Sequence, residues 1–161
     1  MANSEHAQTM GTLTPDPALG CLEKLVGTWE LKGRTLSSKE DTITGWTTFE
    51  WMLGGFFLKM VGEITFHGST MQSLEIIAYD PESRTFPASV YSSMSGTVLS
   101  YKWDIQGNTV IHSGLGATYT GTFSEDGKML IGGWRPDEGV ESTDGNTYDA
   151  VMIRNDTDGG E

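Results

Sequence analysis

Between Thr28 and Arg154 the chain alternates polar and apolar residues with a period of two, interrupted at short intervals by Gly, Asn, Asp or Pro. That period puts successive side chains on opposite faces of a strand, so the stretch reads as β-structure. From Thr28 to Thr35, for example, Trp29, Leu31, Gly33 and Thr35 alternate with Thr28, Glu30, Lys32 and Arg34. Further strands are predicted over Thr42–Leu53, Phe56–Phe66, Met71–Tyr79, Arg84–Ser93, Thr97–Asp104, Thr109–Ser113, Ala117–Phe123, Lys128–Trp134 and Asn146–Arg154. Turn sequences separate them, among them Leu53-Gly54-Gly55, His67-Gly68-Ser69, Asp80-Pro81-Glu82-Ser83, Gln106-Gly107-Asn108 and Ser124-Glu125-Asp126-Gly127. The connections are short and no βαβ alternation occurs. The expectation is therefore an all-β fold: a single antiparallel up-and-down barrel of about ten strands, whose closure leaves no strand edge exposed.

A short helix precedes the first strand. Asp16 can cap its free N–H groups, Pro17 suits its first position, and Leu19, Leu22, Leu25 and Val26 place apolar groups on one side. Gly27 is the expected left-handed stop. So short a helix needs something to pack on, and a barrel end would serve. The predicted organisation is a flexible N-terminal tail over residues 1–14, the barrel domain over 15–154 and an acidic C-terminal tail over 155–161.

Twenty-two acidic residues against 10 basic ones give a net charge of −12, which disfavours nucleic acid and anionic membrane surfaces as partners. The single cysteine, Cys21, excludes an intramolecular disulfide and a thiolate metal cluster. The first fourteen residues carry no basic run and no apolar core, so they do not read as a secretory signal. A cytoplasmic location is the expectation.

The run Val26-Gly27-Thr28-Trp29 carries a resemblance. A Gly-x-Trp motif that opens the first strand after a short helix is similar to that of the calycin superfamily, the lipocalins and fatty-acid-binding proteins. In lipocalins an arginine late in the barrel packs over the tryptophan, and Arg154 is the residue here that corresponds. The chain also resembles a bacterial family of small lipocalin-like domains of unknown function. That likeness runs through Gly27-Thr28-Trp29, then Glu50-Trp51-Met52-Leu53-Gly54-Gly55-Phe56-Phe57-Leu58, Ala78-Tyr79-Asp80 and Ser92-Ser93-Met94, and covers roughly residues 18–154. It implies the barrel and an internal cavity, and brings no catalytic residue with it. Val90 and Ser92 depart from the family pattern, which has an aromatic and an acidic residue there. The haem-binding nitrobindins also open with Gly-Thr-Trp, but they ligate iron through a histidine near the C-terminal strand, where this chain has none. No cofactor is expected.

Motifs for chemistry are sparse. The three histidines, His6, His67 and His112, have no metal-ligand spacing, and Asp156-Thr157-Asp158-Gly159 lacks the ligands that complete a calcium loop, so no metal site is predicted. Cys21 reads as filler on the apolar side of the helix. His112, mid-strand beside Val110, is the one histidine that can face the lumen; with Tyr101 and Tyr148 it is a catalytic candidate. In Met71–Tyr79, taking Glu75 as outward sends Leu74 and Ile76 inward. The expected lumenal set is Phe49, Trp51, Met60, Phe86, Tyr101, Trp103, Trp134, Tyr148 and Met152, with Gln72, Ser92, His112 and Tyr119 as further polar candidates. Ten strands enclose a wider space than eight, so a pocket for a small apolar or amphipathic molecule is the leading expectation. A cyclase or isomerase acting by preorganisation and general acid–base groups is the alternative. A third is a homodimer formed through a barrel face.

Overall fold

The computed structural model describes residues 13–155. Most of the two predicted tails, His6 and the segment Asp156–Gly159 lie outside the described residues. Ten strands are present: β1 (Gly27–Thr35), β2 (Ile43–Met52), β3 (Phe57–Phe66), β4 (Ser69–Ile77), β5 (Phe86–Ser92), β6 (Leu99–Gln106), β7 (Thr109–Gly114), β8 (Ala117–Phe123), β9 (Met129–Pro136) and β10 (Tyr148–Arg154). Each pairs antiparallel with the next, and β10 pairs with β1, closing the barrel as the period-two pattern predicts. No helix among the described residues is long and apolar enough to cross a membrane.

The helix Pro17–Leu25 plugs one end. Its N-cap is the expected one: the Asp16 carboxylate accepts from the Ala18 N–H at 2.8 Å, with Pro17 at the first position. The helix is 3₁₀ rather than α, which fits its leucines. Three residues per turn stack Leu19, Leu22 and Leu25 in one line, and all three are buried. It ends at Leu25, so Gly27 is not its stop: Gly27 instead opens β1 with φ +127°. A Cβ there would stand 2.6 Å from Arg154 Nη1, so glycine makes room for the arginine.

Trp29, fully buried, is the keystone of this floor. Its indole N–H donates to the Leu25 carbonyl at 2.8 Å, and the Arg154 guanidinium lies 4.1 Å above its ring. The guanidinium also donates to the carbonyls of Val26 and, at 2.7 Å, Lys24. Trp29 and Arg154 are register partners, so strand pairing itself brings the two together.

One strand has the opposite facing from that expected. The β3–β4 hairpin turns on two residues, His67 (φ 48°) and Gly68 (φ 82°), and pairing begins at Phe66 with Ser69. Two positive φ values are the signature of a tight primed turn. The register that follows places Glu75 opposite Met60 and Ile77 opposite Leu58. Paired residues share a face, so Glu75 and Ile77 point inward with Leu58 and Met60, and Gln72, Leu74 and Ile76 take the other face.

Candidate functional site

The barrel encloses a cavity of about 540 Å³ above the floor. Strand register builds one wall at a single level: Trp103 pairs with His112, His112 with Tyr119, Tyr119 with Trp134, and Trp134 with Tyr148. Five neighbouring strands thus each present a ring to the same space. Phe49, Met60 and Glu75, likewise side by side, line it from β2, β3 and β4.

Within this apolar setting sits one polar pair. His112 Nε2 lies 2.9 Å from Glu75 Oε1, a contact that reaches from β7 to β4 across the lumen. The Glu75 side chain is fully buried, whereas that of His112 is 13% exposed. The imidazole stacks on the Trp103 indole, centroids 3.8 Å apart and planes 16° apart. Tyr101 and Trp134 flank it at 5.1 and 5.3 Å. Stacking and hydrogen bond together fix the ring's orientation, and Nε2 is the ring nitrogen that the carboxylate engages.

Buried polar atoms without partners concentrate here. Among the described residues four side-chain atoms are buried and unpaired, and three of them, Glu75 Oε2, Trp103 Nε1 and the Tyr119 hydroxyl, belong to residues that line the cavity. Each such group costs about 1–3 kcal/mol in a folded protein, so the cluster marks a place where stability has not been maximised. The phenols around it are held in their protonated, donating form. Burial raises the Tyr101 pKa, with the Glu75 charge adding to it. Burial pushes Tyr148 up to about 12 and raises Tyr119 as well.

Ten of the residues expected in the lumen do line the cavity: Phe49, Met60, Ser92, Tyr101, Trp103, His112, Tyr119, Trp134, Tyr148 and Met152. Three do not. Trp51 sits at the plugged end, its indole N–H donating to Glu23 of the helix at 2.6 Å. Phe86 is buried against Tyr79, centroids 5.1 Å apart, outside the cavity lining. Gln72 is exposed and faces Glu63, its amide 3.3 Å from that carboxylate, because the hairpin register inverts the facing assumed for its strand.

Glu75 is the residue that sequence reasoning missed. The signal was available in the two-residue turn: once His67-Gly68 sets the register and Met60 is inward, Glu75 must be inward too. His67 lies at the turn, half-exposed, 3.5 Å from Asp144. No group of three or more His, Cys, Asp or Glu among the described residues is arranged to hold a metal ion. Burial, with Asp104 nearby, raises the Cys21 thiol pKa, which makes the thiolate scarce.

A second depression, about 830 Å³, lies outside the barrel over Gly132 and Gly133. Both of its arginines are paired at the surface, Arg34 with Asp41 at 3.0 Å and Arg135 with Asp149 at 2.7 Å. The lumen, with its enclosing rings and unpaired buried atoms, is the stronger candidate site.

The family model described as "Protein of unknown function (DUF1579)" matches residues 14–158. Among solved structures the chain is similar to Rv2717c from M. tuberculosis, with TM-score 0.58 and 13% identity over 88% of this chain and 99% of that one. At that identity the likeness speaks for the fold alone. No curated protein matches the chain.

Proposed function

We propose, for a chain that belongs to the DUF1579 family of unknown function, that the barrel binds a small apolar or amphipathic molecule in its lumen, in the manner of a calycin. The observation that carries this reading is the cavity of about 540 Å³, walled by aromatic rings and holding one polar pair. That combination, an apolar space with few fixed polar groups, is what small-molecule sites are built from. Burying the ligand's apolar surface supplies affinity at about 25 cal/mol per Å². The pair and the phenols give the ligand an orientation.

Titration with the neutral apolar dye Nile red tests the reading. The dye binds with one-to-one stoichiometry, and Val90→Trp, which puts an indole into the space, abolishes binding while the circular dichroism spectrum keeps its β form. No dye binding, or undiminished binding to a folded Val90→Trp variant, would end it. Native mass spectrometry of protein from its own source then identifies the resident molecule.

The Glu75–His112 contact favours a second reading, in which the lumen is the active site of an isomerase or cyclase. A carboxylate-oriented imidazole among protonated phenols is a set suited to moving a proton on a carbonyl compound. On this reading His112→Ala slows turnover of the identified molecule by about 100-fold or more, and unchanged turnover excludes it.

A further inference from the structure

We infer that the lumen selects its ligand by the charge of the polar group. It takes an amphipathic molecule with an aromatic or cyclic body whose polar end donates hydrogen bonds and carries no negative charge, an alcohol or an amine, and it rejects carboxylates. The inference rests on the reading of the lumen as a ligand-binding cavity.

The charge inventory of the wall is one-sided. Among the described residues no lysine or arginine lines the cavity; apart from phenols, the ionisable groups along it are Glu75, His112 and Glu63, and the Glu63 carboxylate is turned to Gln72 on the outer face. His112, the one described group there able to become cationic, is already engaged by Glu75 at 2.9 Å. An incoming carboxylate would therefore stand beside the fully buried Glu75 side chain with no free cation among the described residues to offset it, and like charges in one site repel. The excess of 22 acidic over 10 basic residues adds repulsion during approach.

A donor head group meets the opposite situation. Glu75 Oε2 is a buried acceptor with no partner among the described residues. The phenols and Trp103 Nε1 can donate to either head group, more strongly to a carboxylate, so any rejection of the anion has to come from elsewhere in the wall. The carboxylate of Glu75 supplies it. For an ammonium head, the Trp134 ring adds attraction of its own.

Three ligands that share one body test this by calorimetry: 2-naphthalenemethanol, 2-naphthalenemethylamine and 2-naphthoate. The alcohol and the amine bind one to one, and naphthoate binds at least about tenfold more weakly. The gap persists at about 1 M salt, where interactions with the outer surface are screened, and Glu75→Gln narrows it. Naphthoate binding as tightly as the alcohol, or a gap that vanishes in high salt, overturns the inference and leaves the cavity reading standing. Nile red binding without any of the three naphthalenes also overturns it, through the ligand body. If Nile red too fails to bind, the cavity reading falls first and this inference with it.

Discussion

His112 and Glu75 hold each other in place across the lumen, and neither is well placed alone. Removing one partner of a buried pair leaves the other without compensation, whereas replacing both with apolar groups of similar volume removes the problem. His112→Ala is therefore expected to cost about 3–5 kcal/mol by urea denaturation, and the double change Glu75→Met with His112→Phe much less. Equal losses in both would show that the contact is incidental. Tyr148 supplies a pH test. Its folded pKa, about 12, lies above the ordinary phenol value of about 10, so its contribution to stability is whole below about pH 10 and is lost as pH rises through 12. Tyr101 and Tyr119 shift in the same direction. Denaturation followed from pH 9 upward, with about 1.4 kcal/mol per pH unit from each such phenol, is expected to show a decline that Tyr148→Phe makes shallower. At this scale His112 was legible from sequence as the histidine beside Val110. Its partner was not read from alternation, because a charged residue mid-strand reads as solvent-facing until the hairpin register is worked out.

Elements differ in how plainly they declare their facing. In β1, β6 and β8 one face is clearly richer in buried apolar groups, and alternation alone gives the answer. In β4 both faces carry apolar residues, Leu74 and Ile76 on one and Met71 and Ile77 on the other, so alternation has no sign. Only the turn resolves it. The helix shows the converse, since leucines spaced by three were visible and the 3₁₀ geometry that aligns them was not. The floor it forms depends on the start of β1. At Gly27 a side chain would meet both an unfavourable φ and the Arg154 guanidinium. Gly27→Ala is expected to destabilise by about 1–3 kcal/mol, read as a lowered melting temperature. Gly107→Ala is the control, since its positive φ has nothing within 4 Å of the added Cβ, and it should cost less. Equal effects at the two sites would remove the arginine from the account.

On the scale of the whole molecule, ten strands and their closure followed from periodicity and turn chemistry, because both are local properties. The cavity's chemistry did not, because it depends on which residues of distant strands meet. The lumen joins β4 to β7 through one contact between residues 37 apart in sequence, and no local pattern encodes that. A ligand held there couples to the whole barrel: at about 100 times its dissociation constant it should add about 2.7 kcal/mol to stability, seen as a raised melting temperature with 2-naphthalenemethanol. The five tryptophans allow the location to be read directly. Trp46, Trp103 and Trp134 line the cavity, whereas the Trp29 and Trp51 indoles are tied to Leu25 and Glu23 at the plugged end. The decisive measurement is an N–H correlation spectrum by NMR, with the indole signals assigned, before and after addition of 2-naphthalenemethanol. Binding in the lumen predicts that the Trp103 and Trp134 indole signals move while those of Trp29 and Trp51 stay. Shifts confined to Trp29 and Trp51, or no shift in Trp103 and Trp134 at saturating ligand, would contradict it.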